Sequence, residues 1–259
     1  MNSIRAARPV ALITGANRGI GLEAARQLGR SGHIVLIGSR DLQRGEAACA
    51  QLRSEDIEAE VLHLDVTDPA SIAAAASHVE DKHGRLDILI NNAGILLEDI
   101  SPDPANPEGL VNTLPSDVEM DVVRETLVTN TLAPIAVTKA FLPLLRRAQA
   151  ASIVNVSSWL GSLAVADAAC QGAEDRYINL LAYNVSKAAL NAATLQFAME
   201  LRSTPIRVNA VDPGHCATDI NGFSGDRSAA EAAEIVVRAA DLGPNGATGR
   251  FLGPEPRSW

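Results

Sequence analysis

Six short runs of unbroken apolar residues, each followed by a stretch with helical character, constrain this chain more than any other feature. VALIT (10–14), HIVLIGS (33–39), EVLHLDV (60–66), LDILINN (86–92), SIVNVSS (152–158) and RVNAVDP (207–213) are rich in β-branched residues and stop at Gly, Asn, Asp or Pro. A strand with one wet face alternates apolar and polar residues; these do not, so they are predicted to be buried on both faces, as in a parallel sheet covered by helices. The segments between them predict helices at about 20–31, 42–55, 69–83, 117–147, 180–203 and 228–240. With GRFLG (249–253) as a seventh strand, the pattern predicts one doubly wound α/β domain over residues 1–259, with a mostly parallel, seven-stranded sheet. Two stretches break the rhythm, 95–117 and 163–175, and are expected to be loops at the carboxyl edge of the sheet, where open α/β sheets bind ligands.

Composition narrows the function. The chain has 259 residues, 47% of them hydrophobic, which suffices for one continuous core. With 22 Lys and Arg against 31 Asp and Glu, the net charge is -9; with no basic cluster, a phosphate backbone is repelled and nucleic-acid binding is not expected. Cys49, Cys170 and Cys216 are odd in number and lack CxxC spacing, so neither a disulfide framework nor a thiolate metal site is expected, and a reducing compartment fits. No run approaches the ~18 apolar residues of a membrane helix. A soluble cytoplasmic protein is the expectation.

The first apolar run passes directly into TGANRGIG (14–21) and then into a helix. Gly15, Gly19 and Gly21 permit a tight turn and the close approach of a pyrophosphate to backbone N–H groups at a helix N-terminus, where the dipole favours anions. Asn17, Arg18 and Ile20 lie in the same loop. The placement between strand and helix points to a Rossmann-type dinucleotide site; a purely structural turn is the competing account.

A second constellation is LAYNVSKAAL (181–190), where Tyr183 and Lys187 stand four residues apart in a predicted helix and so share a face. One outcome is a core tyrosine beside a snorkelling lysine. The other is a phenol whose proton affinity is set by a cation: tyrosine has an ordinary pKa near 10, and a neighbouring ammonium stabilises phenolate. Tyr177 serves as a control, since the residue four places on is Leu181; it is expected only to pack.

Taken together, the glycine spacing GxxxGxG, NNAG (91–94), the VSS that ends the fifth run (156–158) and YNVSK (183–187) resemble the short-chain dehydrogenase/reductase family from Val10 to about Gly253. SRD (39–41) and the lengthened segment before Tyr183 are similar to its carbonyl reductase-type members. The resemblance implies Tyr183 as general acid, Lys187 as its tuner and a partner of the nicotinamide ribose, and Ser158 as the hydroxyl that holds the substrate oxygen, with Ser157 on the opposite side of the strand. It implies Asn130, in LVTNTL, as the support of a bound water that relays protons to Lys187. Asp65 and Val66 are implied at the adenine; Asn92, Ala93 and Gly94 near the ribose; Pro213 and Gly214 against the nicotinamide; and Thr218 at its carboxamide. His215 and Cys216 are expected to line this turn without binding metal.

NAD sites of this fold usually carry an acid at the end of the second strand. Here Ser39 stands there, followed by Arg40, with Arg18 in the glycine loop, so the cofactor is expected to be NADP(H), its 2′-phosphate held by arginine forks. The expected activity is reduction of a ketone, aldehyde or quinone to the alcohol by hydride transfer. An NAD-linked alcohol, sugar or steroid dehydrogenase and a non-catalytic dinucleotide sensor are the alternatives. Segments 95–117, 159–179 and 219–227 are expected to wall the substrate pocket, with Trp159, Leu160, Leu163 and Phe223 facing a neutral carbonyl compound. Similar insertions before the tyrosine in carbonyl reductase-type members cover the helical face used for tetramers, so a monomer or dimer is expected.

Overall fold

The computed structural model describes residues 8–100, 102–103, 106–110, 114–174, 177–255 and 258–259. The apolar runs become β1 (Val10–Thr14), β2 (Ile34–Ser39), β3 (Ala59–His63), β4 (Ile88–Asn91), β7 (Ala151–Val156) and β8 (Ile206–Val211), and GRFLG supplies β9 (Phe251–Leu252). These seven form one sheet in the order β3-β2-β1-β4-β7-β8-β9, every pair parallel. The register places Leu12 opposite both Leu36 and Leu89. A separate two-stranded antiparallel ribbon, β5 (Pro102–Asp103) with β6 (Asn106–Leu110), occurs where a loop is expected from sequence. The remaining parts of that expectation, residues 101, 104–105 and 111–113, lie outside the described residues, as do 175–176.

The helices are α1 (Gly19–Arg30), α2 (Leu42–Arg53), α3 (Pro69–His83), α4 (Met120–Leu127), α5 (Ala133–Leu145), α6 (Leu163–Cys170), α7 (Leu181–Glu200) and α8 (Ala229–Ala240). Their ends follow local chemistry. Asp41 caps α2 through the amides of Gln43 and Arg44, Asp68 caps α3 ahead of Pro69, and Gly84 ends α3 in the left-handed region at φ 71°. α6 was expected to be loop; Ser162 accepts a hydrogen bond from Val165 N and starts a helix there.

The continuous apolar runs are explained by two cores, one on each face of the sheet. Ala11, Ile13, Val35, Ile37, Ile88 and Ile90 pack with α1, α2 and α8; the intervening Val10, Leu12, Leu36, Leu89 and Ile153 pack with α3, α5 and α7. Each strand therefore needs apolar residues at odd and even positions alike. α4 and α5 join through a π turn, Val128–Leu132, into a helix Met120–Leu145 that is long and apolar enough to cross a membrane, against the expectation from sequence. Val137, Phe141 and Leu145 on it are fully buried among the residues of the second core. The inserted α6 has no buried residue and leaves Val185 and Met199 of α7 exposed, so it does not cover that face of α7 as expected from sequence.

Candidate active site

The strand order reverses between β1 and β4: β2 and β3 lie to one side, β7, β8 and β9 to the other. Loops leaving the carboxyl ends of β1 and β4 diverge here and open a crevice, the position at which doubly wound sheets bind ligands. The cleft has a volume of about 1220 Å³. Thr14 holds its floor together, its hydroxyl accepting from Asn92 N at 2.9 Å and Ala93 N at 3.0 Å, while Asn92 Nδ2 donates to Thr14 O at 2.9 Å.

The glycine loop runs along one wall. Gly15 sits at φ +64°, and a Cβ there would come to 3.0 Å from Ala93 Cα; a Cβ on Gly21 would lie 2.6 Å from Asn92 Nδ2 and 2.9 Å from Ala16 Cα. Glycine is required at both positions by the closeness of the two backbones. Gly19 is at φ +57°, and Arg18, the residue preceding α1, makes no side-chain cap. The first amides of α1 therefore have no side-chain acceptor from Arg18, at a surface lined by Gly15, Asn17, Gly19 and Ile20.

At the far end of this wall, Ser39 is buried and donates through Oγ to Asp41 O at 2.7 Å, and Arg40 is exposed on the cleft. Asp65 and Val66 line the cleft as well. Asp65 is held below the usual carboxylate range chiefly by hydrogen bonds from the Thr67 hydroxyl and amide to its Oδ1, with a smaller contribution from the Arg40 charge. Arg18 departs from expectation: its Nη2 is 2.6 Å from Asp219 Oδ2, an ion pair reaching across the cleft mouth to the segment after β8.

Tyr183, Lys187 and Ser158 converge as the sequence predicts. The Ser158 hydroxyl faces the Tyr183 phenol and favours its ionised form, and Lys187 Nζ lies 5.5 Å from the centre of the Tyr183 ring. The tuning expected from the spacing is not what this site shows. Burial pushes the Tyr183 phenol up to about 12, Ser158 opposing in part, and burial brings Lys187 down to about 8. Lys187, 5% exposed, turns its Nζ to donate to Val156 O at 2.8 Å, and burial disfavours the charged form of each group. Ser157 is buried and donates to Asn191 Oδ1 at 2.7 Å.

Asn130 occupies the π turn, a form of helix often found at functional sites. Its Oδ1 accepts from Ile95 N and its Nδ2 donates to Ile95 O, both at 2.8 Å. Gly94 is pinned between it and the lysine: a Cβ there would stand 3.3 Å from Asn130 Oδ1 and 3.7 Å from Lys187 Nζ. On the opposite wall, Asp212 Oδ1 accepts from Gly214 N, and Pro213, Gly214 and Thr218 line the cleft with His215 and Cys216. The Cys216 thiol donates to the carbonyls of Pro213 and Gly214, and burial pushes it up to about 12.

The profile of the short chain dehydrogenase family matches residues 9–228. The chain belongs to the short-chain dehydrogenase/reductase family. A (+)-neomenthol dehydrogenase from Capsicum annuum is 33% identical over 93% of this chain and 94% of its own. Among solved structures, the salutaridine reductase of Papaver somniferum is similar with a TM-score of 0.80 at 29% identity, covering 94% of this chain and 99% of that one. An NADPH-bound carbonyl reductase from chicken fatty liver gives a TM-score of 0.79 at 31% identity, covering 97% and 99%.

In this short-chain dehydrogenase/reductase, the part of the cleft beyond Tyr183 is walled by Leu96, Leu97, Val128, Trp159, Leu160 and Ile220. Leu163 and Phe223, expected there, are 70% and 68% exposed and do not line it: Leu163 opens α6 on its outer side, and Phe223 stands in a left-handed turn at φ 62°. Tyr177 packs edge-on against Trp159 at 6.2 Å and accepts from Asn184 Nδ2, a packing role as expected. Thr14 and Ser186 escaped the sequence reading. Ser186 had a signal in YNVSK, because three residues separate it from Tyr183 and place it on the same side of α7.

Proposed function

We propose that this enzyme uses NADP(H) to reduce a neutral, apolar ketone, aldehyde or quinone to its alcohol. The observation that carries the reading is the convergence of Ser158, Tyr183 and the buried Lys187 on one glycine-lined crevice, with Lys187 Nζ 5.5 Å from the centre of the Tyr183 ring. The crevice fits a dinucleotide: at Gly15, Gly21 and Gly94 a side chain would fill the space between the walls, and Arg18 leaves the start of α1 without a side-chain cap. Gly15 to Gly21 would hold the pyrophosphate, Asp65 and Val66 the adenine, Asn92 to Gly94 with Lys187 the nicotinamide ribose, and Pro213, Gly214 and Thr218 the nicotinamide. Bound NADPH supplies a hydride.

The residues of the chain supply the rest. Ser158 donates a hydrogen bond to the substrate oxygen and fixes it beside the phenol. Tyr183, protonated at neutral pH as any phenol with a pKa of about 10 or above is, and held above that value by burial, is a loaded acid, and an alkoxide is basic enough to take its proton. The phenolate left behind is stabilised by the Ser158 hydroxyl and by the ammonium of Lys187. Asn130, by clamping Ile95, holds the segment that continues through Leu96 and Leu97 along the cleft wall. Specificity for the 2′-phosphate rests on Ser39 and Arg40, with Arg18 joining after it releases Asp219. The NADPH-bound relative and the absence of an acid at position 39 support this choice of cofactor.

The test is a panel of ketones, aldehydes and quinones followed by NADPH absorbance, on wild type and Tyr183→Phe. Turnover is expected to fall at least ~100-fold with cofactor binding unchanged. Equal turnover in the two proteins rules the mechanism out.

A further inference from the structure

α7 begins without a cap of its own. The residue before it, Leu180, offers no side-chain acceptor, and the amides of the first turn of a helix have no carbonyl one turn earlier to bind. Two of them are taken from far away in sequence. Ala182 N donates to Glu98 Oε1 at 3.1 Å and Tyr183 N donates to Glu98 Oε2 at 2.9 Å. Glu98 is 8% exposed, so a buried carboxylate spends both oxygens on the start of one helix, where charge-assisted bonds and the dipole both favour it.

The other side of Tyr183 is held too. Ser186 Oγ donates to Tyr183 O at 2.7 Å and accepts from Asn130 Nδ2 at 3.1 Å, while Thr131 Oγ1 donates to Ser186 O at 2.8 Å. Asn130 is the residue that grips Ile95 by both N–H and C=O. The strap from Ile95 to Glu98 is thus fastened at one end to the π turn and at the other to the first turn of α7, with Leu96 and Leu97 between them on the cleft wall.

We propose that Glu98 is a positioning residue for carbonyl reduction: by binding the amides of Ala182 and Tyr183 it sets the first turn of α7, and with it the place of the phenol against Ser158 and the substrate oxygen. This rests on Tyr183 being the proton donor. Tyr183 is the third residue of α7, in the turn that frays when a cap is lost. A serine or aspartate in place of Leu180 would cap the helix as well. Only an acceptor on the strap ties the phenol to the wall of the pocket it serves, and small misplacements of a reacting group cost rate steeply.

The chain has two tyrosines, so Tyr177→Phe leaves one phenol whose ionisation is read directly by ultraviolet absorbance. In that background, full-length Glu98→Ala and Glu98→Gln are compared with their parent for kcat, for NADPH dissociation constant by fluorescence, and for the phenol titration. Glu98→Ala is expected to lose kcat at least ~10-fold with cofactor affinity within ~2-fold. Its phenol should titrate below that of the parent, as water reaches a loosened turn and the neighbouring carboxylate is lost. Glu98→Gln keeps one acceptor oxygen and is expected to lose ~3-fold or more, and it carries the test alone where Glu98→Ala does not fold. A kcat within ~2-fold of the parent overturns the proposal, as does a loss of kcat matched by an equal loss of NADPH affinity. If Tyr183→Phe itself keeps its turnover, the reading of Tyr183 has failed and the positioning falls with it; if Tyr183→Phe is inactive and the Glu98 variants keep kcat, only the positioning has failed.

Discussion

Lys187→Met should make the cofactor-free protein more stable while abolishing its activity. Burial lowers the lysine from 10.5 to about 8, and at ~1.4 kcal/mol per pKa unit the charged form at pH 7 is held at a cost of roughly 3 kcal/mol. Methionine has a similar length and opens little cavity. The substitution does forfeit the bond from Nζ to Val156 O, and a buried carbonyl that loses its donor costs about 1–2 kcal/mol. The balance is a gain of about 1–2 kcal/mol, or ~2–6 °C in Tm for a chain of this size. The pH dependence carries the sharper signature. In wild type the folded lysine releases its proton near pH 8 and the unfolded one near 10.5, so between those values the unfolded chain binds more protons and wild-type stability rises with pH. The advantage of the variant should therefore be full below pH 8, shrink from there to 10.5, and invert above it, where only the lost bond remains. Cys49 and Cys216, whose thiols burial raises to about 11 and about 12, titrate alike in both proteins and cancel in the difference. Urea unfolding at pH 7 and at intervals up to pH 10.5 measures it. A variant less stable than wild type at pH 7, or a difference that does not change with pH, refutes the account of the buried charge.

Two further substitutions probe the crevice. Arg40→Ala should shrink the preference for NADPH over NADH, as the ratio of kcat/KM values, by about tenfold or more, since a charge-assisted bond to phosphate contributes ~1.5–3 kcal/mol; a ratio that ignores Arg40 places the 2′-phosphate elsewhere. Gly21→Ala puts a Cβ 2.9 Å from Ala16 Cα, backbone that cannot swing aside, and should cost about 1–3 kcal/mol of stability together with cofactor affinity by fluorescence titration, whereas an unchanged affinity would separate α1 from the dinucleotide.

The sheet was legible in the sequence because burial on both faces leaves a mark that burial on one face does not: Ala11 and Leu12 lie on opposite cores and both must be apolar. The glycine loop was legible because Gly15 at φ +64° and Gly21 against Asn92 tolerate nothing else. Tyr183 and Lys187 were legible because helical spacing alone puts them on one face. Each of these is a local rule, readable within a few residues or from the repeat of a period.

What the sequence could not supply is contact between distant segments. Glu98 is an unremarkable acid in a loop until the fold lays it against Tyr183 N, 85 residues away. Arg18 reads as a free phosphate ligand until the segment after β8 brings Asp219 beside it. The direction of the Tyr183 shift is hidden from the sequence for the same reason: spacing shows that a cation is near, but how much water the pair loses depends on everything packed around it, and here burial is the largest cause at both groups. The sequence by itself determined the seven strands of the main sheet and most of the helices, since these follow from periodicity, and its motifs singled out the candidate site residues. The tertiary structure decided which hydrogen bonds hold those groups and how tightly they keep their protons, because both depend on partners and burial that no local pattern encodes.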